Sequence, residues 1–261
     1  MIETIVIGLV VSAACIVLGH LAERVWPARD GSGARPLFNL ALFAPSTALR
    51  AATAPLFGVL TTVGVNAIGG GVLVLPSKGL GLIAGAVIYL LVMDGLEYLF
   101  HRAQHQIPAL WAMHSLHHSD PAFNVSTAVR HFWAEIFIKS ATIYLLVGLI
   151  FKVDIRIIEI YGALSYYNYV THMNVKLGFG RWSWVLNSPQ YHRLHHSRRI
   201  DDEDCNFAAL LPVFDVLSGV YRRPAAGDYA PTGLRDGQAP SSLFQGLTWP
   251  LHIASGDPLK D

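Results

Sequence analysis

Charge is what this chain has least of. Only 14% of its 261 residues are Asp, Glu, Lys or Arg and 52% are hydrophobic, whereas an average soluble domain is roughly a quarter charged. With a mean hydropathy of +0.40, part of the chain's solvent is expected to be lipid. A net charge of +1 gives nucleic acid nothing to recognise. The two cysteines, Cys15 and Cys205, lie far apart and in no pair-spaced motif; this excludes a disulfide framework and leaves both expected as free thiols. No glycine fingerprint for a dinucleotide, no haem motif and no iron–sulfur motif is present. No basic residue precedes the first apolar run, as a signal peptide would require, so that run reads as a retained membrane helix.

What the chain has in excess is histidine. There are 12, and ten of them fall between His101 and His196.

The apolar runs organise the rest. Ile5–Leu21 is close to the roughly 20 residues of a membrane span. Arg24, Arg29 and Arg35 follow it, which places that loop in the cytoplasm and the N-terminus outside. The stretch Pro36–Pro76 is apolar but interrupted by Pro45, Arg50, Pro55 and three glycines. It reads as an interfacial piece and then a span from about Ala52 to Leu75. Gly79–Phe100 is a clear third span and Phe132–Phe151 a fourth. Ile157–Val170 is short for a span but must bring the chain back. Asn206–Tyr221 alternates apolar and small residues and suits a membrane surface. These runs predict an all-α fold: an integral membrane helical bundle of about four spans with a cytoplasmic helical cap. Three parts follow: membrane spans in residues 1–93, a histidine-box core in 94–221, and a loop-rich tail in 222–261.

Three histidine boxes mark that core. His101-Arg-Ala-Gln-His105 is HxxxH; His114-Ser-Leu-His117-His118 and His192-Arg-Leu-His195-His196 are both HxxHH. Residues three or four apart share a helix face, so each box offers two or three imidazoles to one side. Neutral imidazole suits Fe, Zn, Cu and Ni. Eight rings are too many for one ion and about right for two. A single HxxxH would carry little weight, and isolated His20 and His252 read as ordinary interfacial residues. Three boxes beside membrane spans are a different matter, because so many unpaired rings near low dielectric would each cost on the order of 1–3 kcal/mol.

The wider pattern runs Asp94-x-x-x-Tyr98-x-x-His101-Arg102, Leu110-Trp111-x-x-His114, His117-His118-Ser119 and Asn124-x-Ser126-Thr127-Ala128-x-Arg130. It continues through Asn187-x-Pro189-x-x-His192-Arg193-x-His195-His196, Asp204-x-Asn206-Phe207 and Phe214-Asp215-x-x-Ser218-Gly219. From about Asp94 to Tyr221 it resembles the fatty acid hydroxylase/sterol desaturase superfamily of membrane di-iron enzymes, bacterial members included.

The resemblance implies two iron ions, with zinc able to replace them on overexpression, and a further ligand at His172. The implied set is His101, His105, His114, His117, His118, His172, His192, His195 and His196. Asn168 stands where some members carry a histidine, and His131 lies one place before its usual position; both are candidate ligands. Asp94, Glu97, Asp204 and Asp215 are candidates to orient the rings, since ligating imidazoles usually donate their other N–H to an acceptor.

The implied activity is O2-dependent hydroxylation or desaturation of a lipid: a fatty acyl chain, an alkylglycerol, a sterol or a related molecule. Its electrons would come from a redox protein or a pterin, and its site would face the cytoplasm from a bacterial inner membrane. The competing reading is a non-enzymatic membrane carrier of Zn or Fe. A carrier needs ionisable residues inside its spans, whereas these histidines lie at span ends and in the connecting segments.

Overall fold

A computed structural model describes residues 2–69 and 71–253. The protein is mostly helical. Four helices precede the middle of the chain: α1 (Ile2–Val25), α2 (Pro36–Ala67), α3 (Leu80–Gln106) and α4 (Pro108–His118). Among the described residues, Val6–Val25 and Leu80–Gln106 are long and apolar enough to cross a membrane. Only 11% and 22% of their apolar windows are buried within the protein, so neither is the core helix of a water-soluble bundle. Val10, Val17 and Leu18 of α1 and Leu80, Ile83 and Leu99 of α3 are all more than half exposed.

The region read as two pieces is one helix. α2 passes unbroken through Pro45 and Pro55 and stops at Ala67, short of Leu75. Each proline removes one ladder hydrogen bond. Ser46 Oγ and Thr53 Oγ1 bond the carbonyls of Leu42 and Leu49 one turn back, and such hydroxyls help a helix in apolar surroundings to tolerate proline. A parallel pair of two-residue strands, β1 (Leu73–Val74) and β2 (Phe151–Lys152), then ties the chain before α3 to the end of the fourth apolar run. That run begins at Glu135 and forms α5 (Glu135–Lys139), a π-helical turn over Ser140–Tyr144 and α6 (Leu145–Ile150). Asp154 caps α7 (Ile155–Ser165) by accepting from Arg156 N at 3.0 Å. The one-turn helix α8 (Tyr167–Thr171) delivers His172.

Two corners bring the boxes together. Ile107 precedes Pro108, which disfavours helix at Ile107. It is extended (φ −100°, ψ 115°), and Pro108 opens α4 as its first residue. α4 therefore folds back against α3. Ser188 caps α9 (Pro189–His195) with Pro189 just inside, and α9 packs on α8. Glycine at position 19 permits a further close approach, since a Cβ there would lie 2.6 Å from the Val125 side chain.

Asn206–Tyr221 forms a loop and the short α10 (Val213–Leu217), whose Val216 and Leu217 face outward. Beyond Arg222 come two more short helices, α11 (Leu243–Leu247) and α12 (Pro250–Ile253). Trp249 is buried with Leu42, Leu116, Phe132 and Leu234 and donates to Ser115 Oγ at 3.0 Å.

Candidate metal centre

Nine of the described histidines collect into two groups whose ligand atoms lie within 4.8 Å of one another. One is His101, His105, His114, His118 and His195; the other is His117, His172, His192 and His196. His114 also belongs to a smaller group with His131 and Glu135. α4 serves both, because residues 114 and 118 share one face and 117 points to the next. α9 does the same with His195 on one side and His192 and His196 on the other.

The far nitrogen of several rings is fixed by an acceptor. His101 Nδ1 donates to the Phe207 carbonyl at 2.7 Å, His195 Nδ1 to the Cys205 carbonyl at 2.8 Å and His172 Nδ1 to the Asn168 carbonyl at 2.7 Å. A carbonyl only accepts, so these neutral rings carry hydrogen on Nδ1 and present a bare lone pair at Nε2. Yet Nε2 of His101 and Nε2 of His195 stand 3.0 Å apart. His172 Nε2 faces Nε2 of His117 at 3.2 Å and of His192 at 3.1 Å, and Nδ1 of both those rings is buried with no partner among the described residues.

Two lone pairs at that distance repel unless a proton or a cation lies between them. Protons are disfavoured: burial, with the neighbouring rings adding to it, pushes His117, His118, His192 and His196 well below the ordinary imidazole value. Burial holds His172 and His195 down at about 3. A cation fits. Two nitrogens about 2.1 Å from one ion and at right angles are about 3.0 Å apart. The Nε2 pairs His105–His118 at 3.1 Å and His192–His196 at 3.3 Å match the same spacing.

The remaining candidates separate clearly. His131 belongs to neither large group. Its side chain is 40% exposed, its Nδ1 lies 3.5 Å from Glu135, and its ring stacks on His117 at 4.4 Å. Asn168 is exposed, and its main-chain carbonyl, not its amide, meets the histidines.

Of the four carboxylates expected to orient rings, only Asp204 reaches one, His105 Nδ1 at 3.4 Å. Glu97 instead pairs with Lys139 at 2.9 Å and accepts from Tyr161 OH at 2.9 Å. Lys139 is one helical turn beyond Glu135 on the facing helix, which draws Glu97 away from the rings. Asp94 accepts from the backbone N–H groups of Leu210 and Leu211 at 3.0 and 2.9 Å. Asp215 accepts from Tyr191 OH at 2.6 Å and from the N–H groups of Phe207 and Ala208 at 2.7 and 2.9 Å. Asp94 and Asp215 thus act one bond further out. They grip the segment whose Asp204, Cys205 and Phe207 acceptors hold His105, His195 and His101. That segment is sharply turned, with left-handed φ of 52° at Asp204 and 61° at Asn206.

A fifth carboxylate stands beside the rings, one that no box or motif in the sequence marks. Glu135, buried at the start of α5, lies 3.4 Å from His114 Nδ1. The only signal for it in the sequence is an acid at the head of an otherwise apolar run, four residues after His131.

A cleft of about 150 Å³ reaches the first group from the surface, between Trp111 and the rings of His105, His118 and His195. Arg198, Arg199 and Arg235 stand at its mouth. On the other side, an apolar groove of about 420 Å³ runs between α3 and α10, along Leu91, Gly95, Leu99 and Leu217. Phe207 and Tyr98 form the wall between this groove and the histidines. The Phe207 ring contacts both Tyr98, at 6.4 Å, and His105, at 5.0 Å.

The helices with uncovered apolar faces are of a kind that can cross a membrane, and the two polyhistidine clusters beside them could each hold a metal ion. The comparisons place the protein more narrowly. Residues 86–220 match the fatty acid hydroxylase family, and the chain belongs to that family. Alkylglycerol monooxygenase from Danio rerio and from Homo sapiens are each 32% identical to it over 124 residues. Ornithine lipid hydroxylase OlsE from Rhizobium tropici is 30% identical over 155 residues. These alignments cover 48% of this chain and 27% of either monooxygenase, and 56% of this chain and 45% of OlsE. The matched region is thus well under two thirds of the relatives' length. No solved structure matches the chain.

Proposed function

We propose that this protein is a membrane-embedded monooxygenase that holds two irons in its nine histidines and hydroxylates a C–H bond of a lipid. The observation that carries the reading is the opposition of the bare Nε2 lone pairs of His101 and His195 at 3.0 Å, with the Nε2 atoms of His117 and His192 crowded to 3.2 and 3.1 Å about His172 Nε2 in the second cluster. The fatty acid hydroxylase family and relatives named for alkylglycerol and ornithine lipid oxidation support the lipid as substrate.

His101, His105, His114, His118 and His195 would hold one ion and His117, His172, His192 and His196 the other, with zinc able to enter either site on overexpression. The chemistry the pair supplies when bound is the activation of O2 against an unreactive C–H bond. The balance is R–H, O2, two electrons and two protons giving R–OH and water. Both electrons must come from outside, from a redox protein or a small reductant such as a pterin, because the sequence carries no fingerprint for an electron-carrying cofactor.

The chain's own contribution is positional. The carbonyls of Phe207, Cys205 and Asn168 fix ring tautomers. The buried Phe207 and Tyr98 keep water from the groove side. The groove between α3 and α10 offers an apolar bed for a lipid chain. Four segments would cross the membrane, α1, α2, α3 and the Glu135–Ile150 run, with α7 and α8 bringing the chain back so that all the boxes face the cytoplasm beside the arginine-rich surface.

Protein purified in mild detergent should contain close to two metal ions per chain, and a strain overproducing it should accumulate a hydroxylated lipid that a strain lacking it does not. Fewer than one ion in carefully handled wild-type protein would sink the two-ion reading.

A further inference from the structure

Glu135 is 8% exposed and surrounded by donors. Its Oε2 accepts from Gln104 Nε2 of α3 at 2.8 Å, and its Oε1 from the backbone N–H of Phe132 at 3.1 Å. The same Oε2 lies 3.4 Å from His114 Nδ1 and 3.5 Å from His131 Nδ1. The other nitrogen of His114, Nε2, is buried and has no hydrogen-bond partner among the described residues. His114 is therefore a ring with an acceptor at one end and an unsatisfied nitrogen at the other, set among four further imidazoles.

We propose that Glu135 is the positioning residue of the five-histidine site. Its carboxylate keeps the hydrogen of His114 on Nδ1 and so turns a lone pair at Nε2 toward the ion, while Gln104 holds the carboxylate from α3. This rests on the two-ion reading above. A carboxylate only accepts, so it selects one tautomer of the ring it faces; an amide in the same place can donate and select the other.

A third ion held directly by Glu135, His114 and His131 is the competing use of the same atoms. It would need His114 to lose hydrogen from both nitrogens, and the carboxylate is already satisfied by Gln104 and Phe132. His131 lies flat on His117 of the four-histidine site, with rings 4.4 Å apart and 10° from parallel. The carboxylate thus touches one site directly and reaches the other only through a ring face, which makes its effect site-selective.

The test is a titration of metal-free, full-length protein in detergent with cobalt(II), followed by its visible spectrum. His195→Ala and His192→Ala identify which signal belongs to which site. Glu135→Gln should lower affinity at the five-histidine site by roughly 10–100-fold, the usual effect of losing an outer-shell partner, and change that site's spectrum. The four-histidine site should keep its affinity. Glu135→Asp should recover part of the loss, and it is the variant to read if Glu135→Gln does not accumulate. Unchanged affinity at the five-histidine site overturns the proposal, and so does an equal loss at both sites, which marks a general structural defect. Wild-type protein that takes up fewer than two cobalt ions strikes the two-ion reading instead, before any variant is considered.

Discussion

An imidazole can ligate only through the nitrogen that has no hydrogen, so the atom behind each ring matters as much as the ring. The boxes themselves were legible in the sequence because helical spacing of three and four residues decides which side chains share a face; all nine named rings fall in the two groups. What orients them was not legible. The acceptors for His101, His195 and His172 are main-chain carbonyls, and a carbonyl leaves no trace in the residue type that carries it. Asn168 shows the consequence. Its amide lies away from the rings, so Asn168→Ala should leave bound metal unchanged, because the carbonyl remains. His118→Ala and His196→Ala should each abolish turnover and lower metal content, while His20→Ala, His252→Ala and the half-exposed His131→Ala should retain most of both. Parallel assays of product and metal on this panel decide the matter, and near-normal turnover in His118→Ala would refute the assignment.

The depressed rings also set a pH dependence for the metal-free protein. Folded His172 and His195 titrate at about 3 and unfolded histidine at about 6.5. The unfolded chain therefore binds more protons between those values, and stability falls as pH drops through that window, by up to about 1.4 kcal/mol per ring per pH unit. Thermal unfolding in the presence of a chelator should show this slope below about pH 6.5 and flatten above it. A midpoint independent of pH there would contradict the burial of the rings.

Helices and loops were legible to different degrees. The third apolar run is α3 almost as expected, because nothing interrupts it. Proline costs about 3 kcal/mol inside a water-exposed helix, which predicts two pieces where α2 is one; in apolar surroundings the alternative, unpaired backbone, costs more. The loop from Asp204 to Phe207 was visible only as scattered polar residues. Its order comes from carboxylates at a distance, with Asp215 holding Phe207 and Ala208 and Asp94 holding Leu210 and Leu211. Asp215→Ala would strand two buried N–H groups and the Tyr191 hydroxyl, and should lower stability by about 2–4 kcal/mol, measurable as a shift in thermal unfolding. The segment beyond Arg222 reads as loop by its glycine and proline, but a single large side chain fastens its end. Trp249→Ala should cost about 3–5 kcal/mol and expose the 243–253 region to protease, whereas a substitution at the exposed Phe244 should do neither.

For the molecule as a whole, the informative quantity is how little of α1 and α3 the protein covers with its own side chains. Those faces need another solvent, and lipid is the one that suits both their length and their composition. Reporter fusions at Lys78 and at Asp261, the latter beyond the described residues, should report opposite sides of the membrane. The same side for both would break the arrangement with three crossings before the first box. The apolar groove along α3 opens on the same surface as the uncovered residues, so a lipid chain would reach it from within the bilayer rather than through water.

The nine rings come from four places along the chain, in α3, in α4, after α8 and in or just after α9. In a protein whose two cysteines are both free, a pair of bound ions would act as its cross-links. One would close the long loop from His101 to His195 and the other that from His117 to His196, and so remove freedom from the unfolded chain much as a disulfide does. Departure of an ion then requires α9 to lift from α4, so release should be slow and should keep pace with local opening. Amide hydrogen exchange over Pro189–His195 should quicken sharply when metal is withdrawn, while exchange in the first half of α3 stays as it was.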